Sequence, residues 1–385
     1  MNSTLRFWLA WSAGLGLALA LMVWALLQWY LSNHSQLVAD RLQLLGELRR
    51  GAVQEYFATA SAELRFWSSN QDMVHAQEKL VEIWGSDPRV AARVRQAYVE
   101  DNPHPAGFRL NLDDAEDGTE YSEYHALMHA RARLFVTERG YYDFFLISPD
   151  GDVLYTVEKE ADFATNLESG PWRDSGLGEV FRRAKRERTN QSIVVSDMRP
   201  YEPSDGDPAM FVATAVYAAA GEFLGVIAFQ LPTDSILGIM NYTSGMGETG
   251  ETYLVGQDKL MRSDSRFTDE STVLRQTVDT PTVRRALEGE QAQAFIDDYR
   301  GVEVLSVSLP MEVGDTRWAV MAEIDRSEIA TIAASDRPAM AAPLMFIYGL
   351  SLWSVWYWRG RTLPEEDVQY AGLDFGDGDG GGMDG

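Results

Sequence analysis

The chain writes one figure twice, and that duplication constrains its fold more than any other feature. "YYDFFLISPDGDVLYTVEKEADF" (Tyr141 to Phe163) and "GETGETYLVGQDKLMRSDSRF" (Gly247 to Phe267) each run strand, polar turn, strand and an acidic step to Phe. The first is followed by the helical stretch "SGLGEVFRRAKRE" and the strand patterns "SIVVSDM", "AMFVATAVYA" and "EFLGVIAFQL". The second is followed, in the same order, by "TPTVRRALEG", "QAFIDDY", "VEVLSVSLPM" and "RWAVMAEI". The closing strands align as "GVIAFQLPTDSI" and "WAVMAEIDRSEI", so the repeat predicts two modules of one fold. "PDGD" is a reversal because Asp and Gly accept the backbone angles of a tight turn. Each copy, a hairpin, a crossing helix and a three-strand meander, predicts a five-stranded antiparallel sheet with helices on one face, an α+β architecture.

A chain of 385 residues holds two such modules without covalent staples. Ahead of them, Leu42, Leu45, Leu48, Ala52, Tyr56, Ala60, Leu64 and Trp67 recur at three- and four-residue steps, the stripe of a long amphipathic helix. The stripe suits a strut against its own domain or half of a homodimer interface, and its imperfect heptads leave both open. Residues 87–140 read as helical, interrupted by "DNPHPAGF" and "DDAEDGTE". The second interruption has Ala115 and Tyr124 where a calcium loop needs ligands, and reads as a solvated turn. "HALMH" (His125 to His129) spaces two imidazoles one helical turn apart; without a third ligand, it reads as a helix surface.

Two uncharged runs flank all this. "FWLAWSAGLGLALALMVWALLQWYL" (Phe7 to Leu31) and "PAMAAPLMFIYGLSLWSVWYW" (Pro338 to Trp358) are each long enough to cross a hydrocarbon layer of ~30 Å as a helix. Arg6 before the first and Arg359 and Arg361 after the second place both termini in the cytoplasm, with residues 32–336 periplasmic or extracellular, on a two-pass protein of the cell inner membrane. The expected divisions are a cytoplasmic N-terminus 1–6, a span 7–31, a long helix and helical region 32–140, a membrane-distal module 141–240, a membrane-proximal module 241–336, a span 338–358 and an acidic Gly-rich tail 359–385 without fixed structure.

Composition excludes several functions. The absence of cysteine removes disulfides, thiolate catalysis and Cys-based metal centres. A net charge of −25 disfavours nucleic acid, and the one basic knot, "RRAKRER", reads as a solvated helix face. No nucleophile, base and orienter can be assembled from the spacings, so an enzyme is not expected, nor a cofactor.

The ordered strings "YDFFLISPDGDVLYTV", "DFATNL", "GPWRDSGL", "SDMRPYEPS", "FLGVIAFQLP" and "GETGETYLVG" give the chain from Ser32 to Asp336 a resemblance to the double Cache (dCache) sensor domain, a tandem of PAS-like modules on a long helix between two spans. Such domains serve chemoreceptors, sensor histidine kinases and membrane cyclases. The resemblance implies a small organic ligand in the distal module, with Tyr155, Trp172, Asp197, Tyr201 and Phe211 as candidate lining residues. Ordinary core packing or loop anchoring suits each of them as well. In the amino-acid-sensing branch, an Arg, one residue, then Trp-Tyr follows the hairpin, and an Asp ends the last strand. Trp172 matches, but Gly170 stands at the Arg position, Arg173 at the Tyr position, Thr165 at the preceding Tyr and Gln230 at the strand-end Asp. A standard amino-acid ligand is therefore not carried over.

The expected function is a small-molecule sensor whose output belongs to a cytoplasmic or membrane signalling partner, since no relay or catalytic module follows the second run. A structural or interaction module of the envelope, or the orphan sensor half of a truncated receptor, are the alternatives. The proximal copy lacks the long "NLESGPWRDSGL" loop and is expected to couple rather than to sense.

Overall fold

Residues 3–187, 189–335, 345–354 and 356–357 are described in a computed structural model of the chain. Two compact units emerge: one of Ser35–Thr331, the other of Met1–His34 with Ile332–Gly385.

In the larger unit the elements follow the order read from sequence. Helix α1 (Ser3–Ser69) enters it at Ser35, followed by α2 (Gln71–Ser86), α3 (Val90–Arg95), which runs into a π turn, and α4 (Glu120–Arg139). Asn70 and Thr119 cap α2 and α4 by accepting from the N–H groups of Met73 and Ser122. The distal module then comprises β1 (Asp143–Ile147), β2 (Val153–Thr156), α5 (Gly176–Glu187), β3 (Val194–Val195), β4 (Arg199–Tyr201), β5 (Asp207–Tyr217), β6 (Phe223–Leu231) and α6 (Thr233–Met240). The proximal module comprises β7 (Glu251–Val255), α7 (Pro281–Leu287), β8 (Ala292–Asp297), β9 (Glu303–Val313), β10 (Thr316–Asp325) and α8 (Arg326–Ser335).

Both sheets are antiparallel and share one topology. The distal order is β2-β1-β6-β5-β3, with β4 on β5, and the proximal order is β7-β10-β9-β8. The expected five strands thus become six in one sheet and four in the other. The missing proximal strand is "KLMRSD": it makes isolated bridges at Leu260 and Met261, and Ser263 Oγ, rather than backbone, accepts the Leu254 N–H at 3.0 Å.

The stripe on α1 shifts from its expected positions. Leu42, Ala60 and Leu64 are buried as expected, whereas Leu48 is 59% exposed and Ala52 faces solvent, with Gly46 and Val53 turned inward instead. A Cβ on Gly46 would stand 3.1 Å from Leu309 Cδ1, so this close approach of helix to β9 selects the face. The distal sheet presents Phe144 and Phe229 to Trp67 of α1 and Phe135 of α4, with ring centroids 4.9 to 6.4 Å apart across the cluster. The proximal sheet packs Val307, Ala322 and Ile324 against Ala39 and Leu42 of α1, and Tyr253, Ala319 and Met321 against Val283 and Leu287 of α7.

Gly225 in β6 has φ +124°, and a Cβ there would lie 2.0 Å from the Ile147 carbonyl oxygen. Gln77 reaches across from α2 to donate to the carbonyls of Ile147 and Leu224, at 2.7 and 3.0 Å. Gly225→Ala is therefore expected to destabilise the fold by about 3 kcal/mol, measured as a lower urea midpoint with an unchanged slope.

The two histidines of "HALMH" are a correction: both are fully buried, not on a helix surface. His129 Nε2–H donates to the Leu110 carbonyl at 2.7 Å, so its Nδ1 accepts from the Tyr155 hydroxyl at 2.6 Å. His125 Nδ1–H donates to the Asp113 carbonyl at 2.7 Å. Burial, with Lys159 nearby, holds His129 down at about 3 and His125 well below its ordinary value, so both are neutral pins for the 110–113 segment. No metal-holding group of His and carboxylates occurs among the described residues.

In the smaller unit, a Cβ on Gly16 would lie 3.5 Å from the Tyr348 hydroxyl, and the rings of Trp353 and Tyr357 stack at 5.4 Å. Among the described residues no helix is long and apolar enough to cross a membrane. Of the expected spans, residues 338–344, 355 and 358 and many side chains of 7–31 lie outside the described residues, as does the tail 359–385.

Candidate functional site

Strand alternation decides which candidates meet. Asp143 of β1 lies opposite Gln230 of β6, Gln230 opposite Phe211 of β5, and Phe145 opposite Thr156 of β2, so these side chains share one face of the distal sheet. Tyr155 stands on the other face, beneath the helices, where His129 takes its hydroxyl. Loops and α5 cover the first face.

On that face Tyr201 sets its ring against Phe211 at 4.9 Å and donates its hydroxyl to Asp162 Oδ2 at 2.5 Å. Ser204 donates to Glu160 at 2.6 Å and accepts from Gln230 Nε2 at 3.2 Å, and Tyr142 donates to the other Glu160 oxygen at 2.6 Å. Asp143 Oδ1 accepts the N–H groups of Phe144, Val157 and Glu158. Asp143, Asp162, Tyr201, Phe211 and Gln230 are each at most 3% exposed. Among the described residues, Asp143 Oδ2, Asp162 Oδ1 and Gln230 Oε1 have no hydrogen-bond partner.

The loop after β2 is held from outside. Arg95 of α3 donates to the carbonyls of Ala161 and Phe163 at 3.0 and 2.9 Å, Arg109 to that of Lys159 at 3.2 Å, and Trp172 to that of Ala161 at 3.3 Å. Trp172 is thus a half-buried loop anchor. Lys159, at φ +56°, lies beside His129 and the rings of Tyr98 and Tyr155; burial lowers it to about 7 against the opposing charges of Asp143 and Glu158.

Four carboxylates, Asp143, Glu158, Glu160 and Asp162, come from this one strand and loop. Burial pushes Asp162 and Glu158 each up to about 7, raises Glu160, and, with Glu158 and Asp162 adding repulsion, drives Asp143 well above the carboxylate range. Glu323 of the proximal sheet is likewise pushed up to about 7 by burial. A carboxyl titrating near 7 in the fold and near 4 in the unfolded chain binds its proton more tightly when folded. The stability it contributes is full below about pH 4 and is lost as pH rises through about 7. The thermal midpoint is expected to be higher at pH 5.5 than at pH 8, and a Glu323→Gln or Asp162→Asn variant should narrow that gap.

Asp197 does not join this cluster. Its carboxylate takes Arg262 Nε and Nη2 at 3.1 and 2.9 Å and Trp318 Nε1 at 2.9 Å, all from the proximal module. Burial opposes the Arg262 charge, and Asp197 and Asp258 outweigh it, so the guanidinium stays ionised. A second link runs from Arg183 of the basic knot to Asp315 at 2.6 Å.

The departures from the amino-acid pattern have physical causes. A Cβ at Gly170 would lie 2.3 Å from the Asn166 carbonyl oxygen, so no side chain, least of all Arg, fits there. Arg173 and Arg199 are exposed and paired with Asp174 and Glu179. Sequence reasoning missed Asp143, Glu160, Asp162 and Ser204. One signal was available: both copies open their first strand with an acid, Asp143 and Glu251.

No curated protein matches the chain in sequence. Among solved structures, it is similar to the sensory domain of the Campylobacter jejuni chemoreceptor Tlp3 at 11% identity and TM-score 0.48, covering 79% of this chain and 99% of that one. It is similar to the ligand-binding domain of the Pseudomonas fluorescens chemoreceptor CtaA, solved with L-serine, at 13% identity and TM-score 0.42, covering 76% and 99%. It is also similar to that of the Pseudomonas aeruginosa PAO1 amino-acid chemoreceptor PctC, solved with GABA, at 12% identity and TM-score 0.42, covering 75% and 100%. The Cache domain family model matches residues 50–331, well over half of the chain. With a long N-terminal helix and two antiparallel sheets of one topology across that range, the chain belongs to the double Cache domain family.

Proposed function

We propose that the chain is a membrane-anchored extracytoplasmic sensor whose distal module, residues 141–240, binds a small organic amine. The observation carrying the ligand class is the set of unpartnered buried oxygens, Asp143 Oδ2, Asp162 Oδ1 and Gln230 Oε1, on side chains gathered on the loop-covered side of one sheet. Each unmet buried polar atom costs about 1–3 kcal/mol, and an ammonium group donates three hydrogen bonds, which these oxygens accept once the carboxyls have lost their protons. An amino acid would also need a cation for its carboxylate; Arg173 and Arg199 lie outside the cluster, and the nearer Arg109 is turned to the Lys159 carbonyl and acts on Glu160. Binding acts by favouring one of two arrangements of the modules, passed to a partner that supplies the output.

Anchoring through 7–31 and 338–358 draws support from large apolar side chains left exposed in the smaller unit, among them Trp11, Leu17, Trp24, Phe346 and Trp356. On this reading residues 241–336 form the membrane-proximal module and both termini are cytoplasmic. A homodimer through the exposed Leu37, Leu44 and Leu48 of α1 fits the same frame.

The test is thermal unfolding of the purified full chain with methylamine, ethylenediamine and benzylamine. The midpoint is expected to rise with at least one of them, more at pH 8 than at pH 6, because the ammonium needs ionised carboxylates. A midpoint unmoved by all three amines defeats the reading. One observation favours a second reading, an interaction module of the envelope: the site is closed by its own side chains. That reading predicts no response to any amine.

A further inference from the structure

We propose that the proximal module carries a second ligand site, for a small monocarboxylate, independent of the amine site. A cavity of about 440 Å³ opens on this module, within the size range of small-molecule sites. Its lining includes Phe267, Thr268, Glu270, Arg275, Tyr299 and Arg300.

The cavity is built rather than incidental. Asp264 Oδ1 accepts the N–H of Thr272 at 2.7 Å and the hydroxyl of Ser271 at 2.9 Å, and Thr272 Oγ1 accepts the N–H of Ser265 at 2.9 Å, closing the 264–272 segment into a hoop. Tyr299 is fixed by its hydroxyl, which donates to both oxygens of buried Glu251 at 3.0 and 2.8 Å. Glu251 lies opposite Glu323 on the proximal sheet as Asp143 lies opposite Gln230 on the distal one. The hoop follows the hairpin of its copy, as the 157–175 loop follows the hairpin of the other. The cavity therefore occupies, in the second copy, the place that the acidic cluster occupies in the first.

Its chemistry differs. Arg275 is exposed, and its guanidinium makes no hydrogen bond or ion pair among the described residues. Arg300 lies over the Phe267 ring at 4.1 Å, with Nε on Asp298 at 2.6 Å and Nη2 on Asp325 at 2.8 Å, which leaves Nη1 unengaged among the described residues. An exposed guanidinium fork and a spare N–H suit one carboxylate, and the lining rings of Phe267 and Tyr299 add aromatic surface beside them for its body. Glu270 on the same lining repels a second acidic group. A monocarboxylate with a planar body meets all these features, and a dicarboxylate does not.

The test is titration calorimetry of the full chain with acetate, benzoate and succinate. Benzoate is expected to bind most tightly and succinate most weakly. Arg275→Ala, an exposed position, should lower benzoate affinity at least tenfold while leaving the ligand-free thermal midpoint unchanged, and Arg300→Lys should weaken it while keeping the charge. Asp162→Asn in the distal module should leave benzoate affinity unchanged. The proposal is overturned if neither acetate nor benzoate binds, if Arg275→Ala retains full affinity, or if Asp162→Asn abolishes binding. A failure of benzoate to bind leaves the amine site standing, since that site's own test uses different probes.

Discussion

Asp197→Ala is expected to lower the unfolding free energy by about 3 kcal/mol, seen as a fall on the order of 10 °C in the thermal midpoint. The carboxylate serves three donors across the seam between modules: two nitrogens of Arg262, whose side chain is 1% exposed, and the indole N–H of fully buried Trp318. Removing one partner of a buried ion pair costs about 3–5 kcal/mol because the other charge stays desolvated. The lower end applies here, since Asp258 still contacts Arg262 at 2.9 Å. Asp197→Asn keeps one acceptor oxygen and should cost about half as much. Differential scanning calorimetry checks both variants, and it also reads coupling: with the seam weakened, the two modules should begin to unfold separately. A midpoint within about 2 °C of the parent, with one transition, would show that the apolar contacts between Phe57, Trp318 and their neighbours hold the seam without the ion pair.

The second large effect is on ligand binding. Asp162→Asn should weaken amine binding about 100-fold, within the 2–5 kcal/mol typical of truncating one partner of a buried charged contact. The substitution keeps the shape of the side chain and an oxygen for the Tyr201 hydroxyl, so the fold should survive, and circular dichroism would verify that. In the parent chain burial pushes Asp162 up to about 7, so binding of an ammonium there is expected to release its proton. Affinity should therefore rise with pH between 6 and 8, by at most about tenfold per unit for one proton, and the variant should lose this contribution. Equal affinity in parent and variant would place the amine elsewhere.

These two residues show how differently the parts of the fold are written. The order of strands and helices was legible because periodicity and turn chemistry act over a few residues: "PDGD" reverses the chain wherever it stands, and the acid opening each copy, Asp143 and Glu251, marks corresponding sheet positions. The stripe on α1 was legible as a helix but not as a face, since the choice of Gly46 and Val53 over Leu48 and Ala52 depends on how closely β9 approaches. Tyr155 illustrates the same limit in a strand, where its neighbour Thr156 points to the opposite side and one position decides between the helical core and the candidate site. Asp197 shows it most plainly. Its partners lie 65 and 121 residues further along the chain and leave no local trace around it.

The sequence by itself determined two copies of one module, their order, the long helix before them and the family, because each is carried by local pattern or by the repeat. Only the tertiary structure decided which polar groups meet. It assembled Asp143, Asp162 and Gln230 on one face, sent Asp197 to the seam, buried the two histidines as neutral pins and opened a cavity beside Arg275. Those outcomes depend on long-range packing and desolvation, which act on a side chain only after the chain has closed around it.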